Sequence, residues 1–309
     1  MASMSASAKP VLHVDFTDFG THMNKADNFF TRILGKRYDV RVSDQPDVLI
    51  HSHDSEVHRL YTCKKIFHTV EAYRPDLTLS DYAITQLELN DPRNLRLPNY
   101  TARATTAELI KQPGEENTIL AQKKKFCSFF TSHARAPLRL KFFEKLSKYK
   151  QVDSAGSYMN NIGRTIPYSR EAKLSFMREY KFYMAFENDL VPWYTTEKIA
   201  EGMATRCIPI YWGNPHVAED FNPKSFLNYS DFPNDEALIE RIIEIDRNDE
   251  LYREYLREPF FYDNKPSKYF DETRTLDFLT RCIEDSTPPG GSRKGSRVLV
   301  KRNKPHVRK

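Results

Sequence analysis

Short apolar segments bounded by polar residues and turns recur along the first third of the chain, and this pattern predicts β-strands. Six segments have it: 11–16, 38–42, 48–50, 66–70, 81–84 and 95–97. A helical stretch that ends near Leu34 separates the first two strands. Strands that alternate with helical or loop segments favour an α/β domain, here extending to about residue 120.

A second series of elements follows the polar linker 111–117. The hydrophobic pattern predicts strands at 125–130 and 226–229 and helices at 138–149, 169–180, 235–246, near Leu251 and at 273–283. Residues 153–168 are rich in Gly, Asn and Ser and predict a loop. The sequence therefore predicts a second α/β domain.

The segment 181–215 gives the clearest local pattern. Alternating apolar residues at 182–186 predict a buried strand, and polar residues then predict a loop. A helical pattern runs from Thr196 to about Arg206, and a second strand is predicted at 207–212. This order of strand, loop, helix and strand is the βαβ unit of a parallel sheet.

Lys198 lies in the first turn of that predicted helix, where a cation opposes the helix dipole. An anion bound at this position would offset the unfavourable placement of Lys198, because the free N–H groups of a helix N-terminus bind phosphate and Lys adds a full charge. Glu197 suits the dipole and offers oxygens to ribose hydroxyls. Two interpretations stay open, a phosphate site and a solvated Glu-Lys pair.

Two more charged residues follow predicted strands. Arg139 begins the helix after strand 125–130, at the carboxyl edge of the sheet where open α/β sheets bind ligands. Glu71 directly follows the strand ending at Val70, which directs it into a cleft between the domains. The alternatives are an exposed helix charge for Arg139 and a solvated loop carboxylate for Glu71.

Composition narrows the class of protein. The chain has 309 residues, 39% hydrophobic and 13% aromatic, which suffices for two domain cores. Its net charge of +5 resides in segment 293–309, which has eight Lys and Arg and no acid, so the remainder has a net charge of −3. The composition of that basic tail predicts disorder, with the tail either solvated or touching an anionic membrane surface or nucleic acid.

No signal peptide or membrane-spanning helix is predicted, so we expect a chain that is cytoplasmic or peripheral to a membrane, or Golgi-lumenal if an anchor was removed. Cys127 and Cys207 are expected as core thiols, with disulfide pairing left open. His51, His53 and His58 suggest a metal cluster, but their spacing favours residues lining a cleft or on the plain surface.

The segments FYMAFEN (182–188), YTTEK (194–198) and IPIYWGNP (208–215), followed by 217–226, resemble the donor motif of glycosyltransferase family 10, the α-1,3/4-fucosyltransferases. The resemblance covers most of 11–278 and is strongest towards bacterial-type members. It implies the GT-B fold, two Rossmann-like domains facing across a cleft. It also implies inverting transfer of fucose from GDP-fucose to a GlcNAc-containing acceptor.

The resemblance also implies roles for individual residues. Arg139 and Lys198 match the family's Arg and Lys that neutralise the diphosphate. The segment 68–75 matches the one that holds the general base, which is Glu71 here, although Val70 stands where the family often has Gly. Residues that match family positions lining the nucleotide or ribose are Asn188, Tyr194 and Glu197. Trp193, in the same loop, would stack on a sugar or base, or else be a core or surface aromatic.

The expected domains are an acceptor-binding domain at 9–120, a donor domain at 121–275, a crossover helix and linker at 276–289, and the tail at 290–309. The chain has no Asp-x-Asp triplet, so no essential metal is expected. No nucleic-acid partner is expected. Two alternatives stay open: a glycoside hydrolase using Glu71 and Glu187, and a glycan- or nucleic-acid-binding protein without catalysis.

Overall fold

The computed structural model describes residues 8–20, 23–132, 134, 136–167 and 169–290. The expected basic tail, apart from Gly290, lies outside the described residues. The chain forms two compact units: the first comprises the residues up to His68, Pro75–Ala83 and the residues from Leu279 onward, and the second comprises Thr69–Arg74 and Ile84–Phe278.

The first sheet has six strands in the order β2-β1-β3-β4-β5-β6. The strands are β1 (Val11–Thr17), β2 (Asp39–Val42), β3 (Val48–His51), β4 (Lys64–His68), β5 (Tyr82–Thr85) and β6 (Asn94–Arg96). Strands β1 to β4 pair in parallel, with Val14 opposite Val48 and Ile50 opposite Ile66. All six predicted strands are therefore confirmed. The predicted end of the fourth at Val70 is wrong, because β4 stops at His68.

Burial follows from position in this sheet. Every residue of β3 is buried, as expected for a parallel strand with neighbours on both sides, whereas the edge strand β2 is mostly exposed. Helix α1 (Phe29–Leu34) follows β1 and begins after Asn28, whose side-chain oxygen accepts from the N–H groups of Phe30 and Thr31.

The second sheet has five strands in the order β11-β10-β9-β7-β8, and every pair is parallel. The strands are β7 (Lys125–Phe129), β8 (Val152–Ser154), β9 (Tyr180–Phe186), β10 (Ile208–Trp212) and β11 (Leu227–Asn228). Strand β8 overlaps the first two residues of the predicted loop 153–168. That prediction is wrong at its start, because Asp153 and the buried Ser154 pair with β7.

Nine helices follow α1 in the described part of the chain. They are α2 (Tyr100–Arg103), α3 (Thr106–Leu109), α4 (Glu116–Gln122), α5 (Pro137–Leu146), α6 (Arg170–Met177), α7 (Glu197–Ala204), α8 (Asp235–Arg247), α9 (Asp249–Arg257) and α10 (Glu272–Glu284). The pattern predicted the last six with small boundary errors. It missed α2 and α3, which have four residues each, and α4, which begins inside the predicted polar linker 111–117.

The βαβ unit β9-α7-β10 organises the second unit. Helix α7 packs closely on β9 because Gly202 has no side chain. A Cβ there would lie 3.0 Å from Cδ1 of Tyr183. The buried face of α7 includes Ile199 and Met203, as the sequence predicts. Both α5 and α7 follow parallel strands, so their N-termini lie at the carboxyl edge of the sheet.

Two other predictions concern the cysteines and the membrane. All four cysteines are free thiols, and Cys127 and Cys207 are buried in the core as expected. Within the described residues, no helix combines the length and the apolar character that crossing a bilayer requires.

Candidate active site

Lys198 is held at the N-terminus of α7 by a carboxylate from the end of β9. Its Nζ lies 3.1 Å from Oε2 of Glu187, 3.0 Å from Oγ1 of Thr196 and 3.7 Å from Oε1 of Glu197. The side chain is only 15% exposed, so the alternative of a solvated Glu-Lys pair is wrong. The Lys is instead part of a buried charge cluster at the edge of the sheet.

Glu187 is the centre of that cluster. It is fully buried, and its Oε1 accepts from the backbone N–H of Thr196 at 2.7 Å. Its Oε2 accepts from the Thr196 hydroxyl at 2.6 Å as well as from Lys198. Glu187 therefore fixes the first turn of α7, a role that its sequence context did not indicate beyond half of a hydrolase pair.

The cluster sets the protonation state of its members. Burial lowers the pKa of Lys198, but the carboxylates of Glu187 and Glu197 outweigh burial and hold that pKa above its ordinary value. Burial raises the pKa of Glu197, but Lys198 and Lys173 outweigh it and lower that pKa overall. Both groups are therefore charged at neutral pH.

Arg139 is the second cation at this edge of the sheet. It lies in the first turn of α5 and is 2% exposed, so the alternative of an exposed helix charge is wrong. Its Nη1 donates to Oδ1 of Asn188 at 3.1 Å, which brings two predicted site residues together. Burial lowers the pKa of the guanidinium, and the Glu187 carboxylate acts in the opposite direction.

Tyr194 joins the predicted base to this group. Its hydroxyl donates to Oε2 of Glu71 at 3.3 Å, and its ring is 3% exposed. Burial raises the pKa of Tyr194, and the charges of Glu187, Glu71 and Glu197 raise it further. Glu71 itself is exposed, in a turn three residues after β4 rather than directly at the strand end.

A buried ion pair, which the sequence analysis missed, supports the loop before α7. Both terminal nitrogens of Arg96 donate to Asp220, each at 2.7 Å, and neither side chain is exposed. Arg96 Nη2 also donates to the carbonyl of Trp193 at 3.0 Å. These partners are 124 residues apart in sequence, and no local pattern indicates such a pair.

Trp193 is held in a conformation unusual for a side chain of its size. Its φ is +69°, its N–H donates to Oδ1 of Asn214 at 2.6 Å, and its indole stacks on His216 at 4.3 Å. The guanidinium of Arg96 lies 5.1 Å from the indole centroid. The expectation that Trp193 stacks on a ligand stays a prediction, and its contacts within the protein are the ones observed.

The histidines of the first unit form a buried group with Asp18. His58 Nδ1 lies 2.5 Å from Oδ2 of Asp18, and the ring of His51 stacks on that of His58 at 4.2 Å. His51 contacts the carbonyl of Ser52 and the hydroxyl of Ser80 through its two ring nitrogens, at 3.0 and 2.8 Å. His51 and His58 are buried, so the expectation of a plain surface position is wrong for both.

Three oxygen and nitrogen ligands of Asp18, His51 and His58 lie close enough to hold a cation. Asp18 already accepts from the hydroxyl of Ser55 and from the N–H groups of Val57 and His58. This bonding explains the group as an internal hydrogen-bond network that fixes the turn after β3.

The site in the second unit thus combines a buried and a largely buried cation, a helix N-terminus and a solvent-facing carboxylate bound by a tyrosine. Cations at a helix N-terminus on the carboxyl edge of a parallel sheet suit a phosphorylated ligand. A carboxylate within reach suits proton abstraction from a hydroxyl group. Two parallel sheets with this α/β pattern are the architecture of the GT-B fold, which is typical of enzymes that use nucleotide sugars.

The chain belongs to glycosyltransferase family 10. The family model described as "Glycosyltransferase family 10 (fucosyltransferase) C-term" matches residues 120–284, and "Alpha-(1,3)-fucosyltransferase FucT N-terminal domain" matches residues 14–103. A crystal structure of an α1,3-fucosyltransferase with GDP-fucose has a TM-score of 0.73 and 27% identity, covering 93% of this chain and 94% of that one.

Two curated relatives are similar to the chain. The α-(1,3)-fucosyltransferase FucT of Helicobacter pylori is 31% identical over 82% of this chain and 62% of its own length. A putative fucosyltransferase, R654, of Acanthamoeba polyphaga mimivirus is 37% identical over 45% of this chain and 24% of its own. The chain therefore spans less than two thirds of the length of these relatives.

Proposed function

We propose that this chain is an inverting α-1,3(4)-fucosyltransferase that moves fucose from GDP-fucose to a hydroxyl of a GlcNAc-containing glycan. The observation that carries the proposal is the pair of cations at the carboxyl edge of the second sheet, the buried Arg139 and the largely buried Lys198. Family membership supports the choice of donor. The acceptor is assigned to the N-terminal part, 9–120, and the donor to 121–275.

The donor site would use the two cations for the diphosphate. The guanidinium of Arg139 offers several N–H groups to phosphate oxygens, and Lys198 adds a point charge next to the free N–H groups of α7. Glu197 would accept hydrogen bonds from the ribose, and Asn188 and Tyr194 would line the nucleotide. Asn99 Nδ2 donates to Oε2 of Glu197 at 3.1 Å and so orients that carboxylate.

In the reaction, the carboxylate of Glu71 takes the proton of the acceptor hydroxyl. The acceptor oxygen attacks C1 of fucose from the face opposite the leaving group, and the bond from C1 to the β-phosphate oxygen breaks. GDP leaves with that electron pair, which Arg139 and Lys198 stabilise. The products are the fucosylated glycan, GDP and a protonated Glu71, which passes its proton to water.

The hydrolase alternative has less support. A retaining hydrolase needs two carboxyl groups on either side of one glycosidic bond. Glu187 is fully buried; its Oε1 accepts from the backbone N–H of Thr196, and its Oε2 accepts from the Thr196 hydroxyl and from Lys198. This carboxylate serves the helix turn and is not presented to a sugar.

The first test measures GDP affinity by isothermal titration calorimetry for Arg139→Ala and Lys198→Ala. Each is expected to weaken binding by about ten-fold or more, because a charged hydrogen bond to phosphate is worth about 1.5–3 kcal/mol. Lys141→Ala is the matched control, since Lys141 lies on the same helix as Arg139 and is 64% exposed. Unchanged affinity in both site variants would refute the assignment.

The second test is turnover with GDP-fucose and a panel of lactosamine-type glycans, followed by linkage analysis of the product. Glu71→Gln is expected to lose roughly 10²–10⁴-fold in kcat while it still binds GDP, because it removes only the base. Activity that persists in EDTA would support transfer without an essential metal. Absence of transfer to every glycan, with GDP-fucose still bound, would favour a binding protein.

A further inference from the structure

The loop that carries Tyr194 and the turn that carries Glu71 are joined by more than one hydrogen bond. The direct link is the Tyr194 hydroxyl, which donates to the Glu71 carboxylate at 3.3 Å. The backbone N–H of Glu71 donates to Oγ1 of Thr69 at 3.0 Å, which fixes the turn locally. The side chain of Gln86 donates to the carbonyl of Val70, the residue before Glu71.

A second set of bonds connects Gln86 to the tyrosine loop. Arg96 Nε donates to the carbonyl of Gln86 at 3.0 Å, and Arg96 Nη2 donates to the carbonyl of Trp193 at 3.0 Å. Glu71, Gln86, Arg96 and Tyr194 thus form a closed circuit with the intervening backbone. Gln86 and Arg96 are almost fully buried, so water does not compete for these bonds.

Asp220 holds both Arg96 and the loop that carries Tyr194. It holds the guanidinium of Arg96 with two bonds, and Oδ2 also accepts from the hydroxyl of Thr195 at 2.8 Å. Both neighbours of Tyr194, namely Trp193 and Thr195, are therefore bound to the Arg96–Asp220 pair. This support maintains the positive φ of Trp193, a conformation that costs free energy for a bulky residue.

We propose that Tyr194 is a positioning residue that orients the carboxylate of Glu71, and that Arg96 with Asp220 fixes the loop from which it acts. This inference rests on the proposed function, in which Glu71 is the base. It gives Tyr194 a role in kcat in addition to its place beside the nucleotide. An exposed carboxylate has many rotamers, and a buried phenol that donates to one oxygen leaves the other for the acceptor.

The test is a double-mutant cycle between Tyr194→Phe and Glu71→Ala, measured with radiolabelled GDP-fucose. Phe keeps the buried ring and removes only the hydroxyl. In the wild-type background, Tyr194→Phe is expected to lower kcat by about ten-fold with less than about a two-fold change in the donor KM. In the Glu71→Ala background the same change is expected to have almost no effect on kcat, because its target is gone.

Other results of the double-mutant cycle would refute either the positioning role or the proposed base. An equal fall in kcat in both backgrounds, or a rise in donor KM with unchanged kcat, would overturn the positioning role. Full activity in Glu71→Ala would instead refute the proposed base and leave the donor assignment standing. Tyr252→Phe is the matched control, because it removes a hydroxyl that donates to the carbonyl of Lys181 at 3.0 Å from another buried ring, outside the site.

Discussion

Asp220→Ala tests the buried pair on which the loop before α7 depends. The substitution removes the two 2.7 Å bonds from Arg96 and the 2.8 Å bond from Thr195. It leaves the guanidinium of Arg96 buried without its counter-ion. Burial lowers the pKa of Arg96, but Asp220 outweighs burial and holds that pKa above its ordinary value, so the side chain stays charged.

The expected loss follows from the burial of both partners. Removing one member of a fully buried ion pair costs about 3–5 kcal/mol, because an uncompensated charge remains. The lost Thr195 bond adds about 1 kcal/mol, although the two contributions are not independent. We expect the free energy of unfolding of the second unit to fall by about 4 kcal/mol.

The assay is urea unfolding followed by tryptophan fluorescence. The chain has two tryptophans, Trp193 and Trp212, and both lie in the second unit, so the signal reports on that unit alone. Glu250→Ala is the control, since it removes an exposed pair with Arg257 and should leave the midpoint near the wild-type value.

The double variant Arg96→Met with Asp220→Leu removes both charges, so it should regain part of the stability that Asp220→Ala loses. A loss below about 1 kcal/mol in Asp220→Ala, or a double variant less stable than the single one, would refute the account of the pair.

Two other predictions concern the buried histidine and a glycine. Burial lowers the pKa of His51 from 6.5 to about 4, so between these pH values the unfolded chain binds more protons than the folded one. The free energy of unfolding should therefore decrease by about 3 kcal/mol as the pH falls from about 6.5 to 4. In urea unfolding followed by circular dichroism, His51→Gln should reduce this pH dependence, and an unchanged slope would contradict the prediction. Gly213→Ala places a Cβ 2.4 Å from Cγ of Glu187, which should displace the Glu187 carboxylate from Lys198. We expect the affinity for GDP, measured by calorimetry, to fall about ten-fold while the circular dichroism spectrum stays native. Unaltered affinity would show that Glu187 does not support the site.

The elements that the sequence predicts well have repeated apolar positions. The unit β9-α7-β10 is an example: its period changes from two to 3.6 and back, so strand, helix and strand are separable, and the place of Lys198 in the first helical turn is confirmed. Strand β8 has three residues in a polar context, and α2 and α3 have four each, so no period is visible in them.

The sequence could not predict which side chains contact each other in the site. Asn188 follows Glu187 directly, yet one contacts Arg139 and the other Lys198, because alternate residues after a strand point in different directions. The Tyr194–Glu71 contact joins residues 123 apart, and the Arg96–Asp220 pair joins residues 124 apart. Such contacts depend on the packing of whole elements, which a local pattern does not encode.

The counter-ions of Lys198 have a consequence for how a donor would arrive. Arg139 and Lys198 carry two positive charges, and the carboxyl groups of Glu187 and Glu197 lie 3.1 and 3.7 Å from the Nζ of Lys198. Burial raises the pKa of Glu187, whereas Lys198 and the hydrogen bonds from Thr196 act to lower it. These carboxyl groups therefore offset much of the positive charge. A group whose charges offset one another exerts little long-range attraction on anions, so the rate of donor association should depend only weakly on ionic strength. A diphosphate would have to compete with these carboxylates to bind Lys198. This competition disfavours small anions, because they make fewer contacts with the site than a nucleotide sugar does.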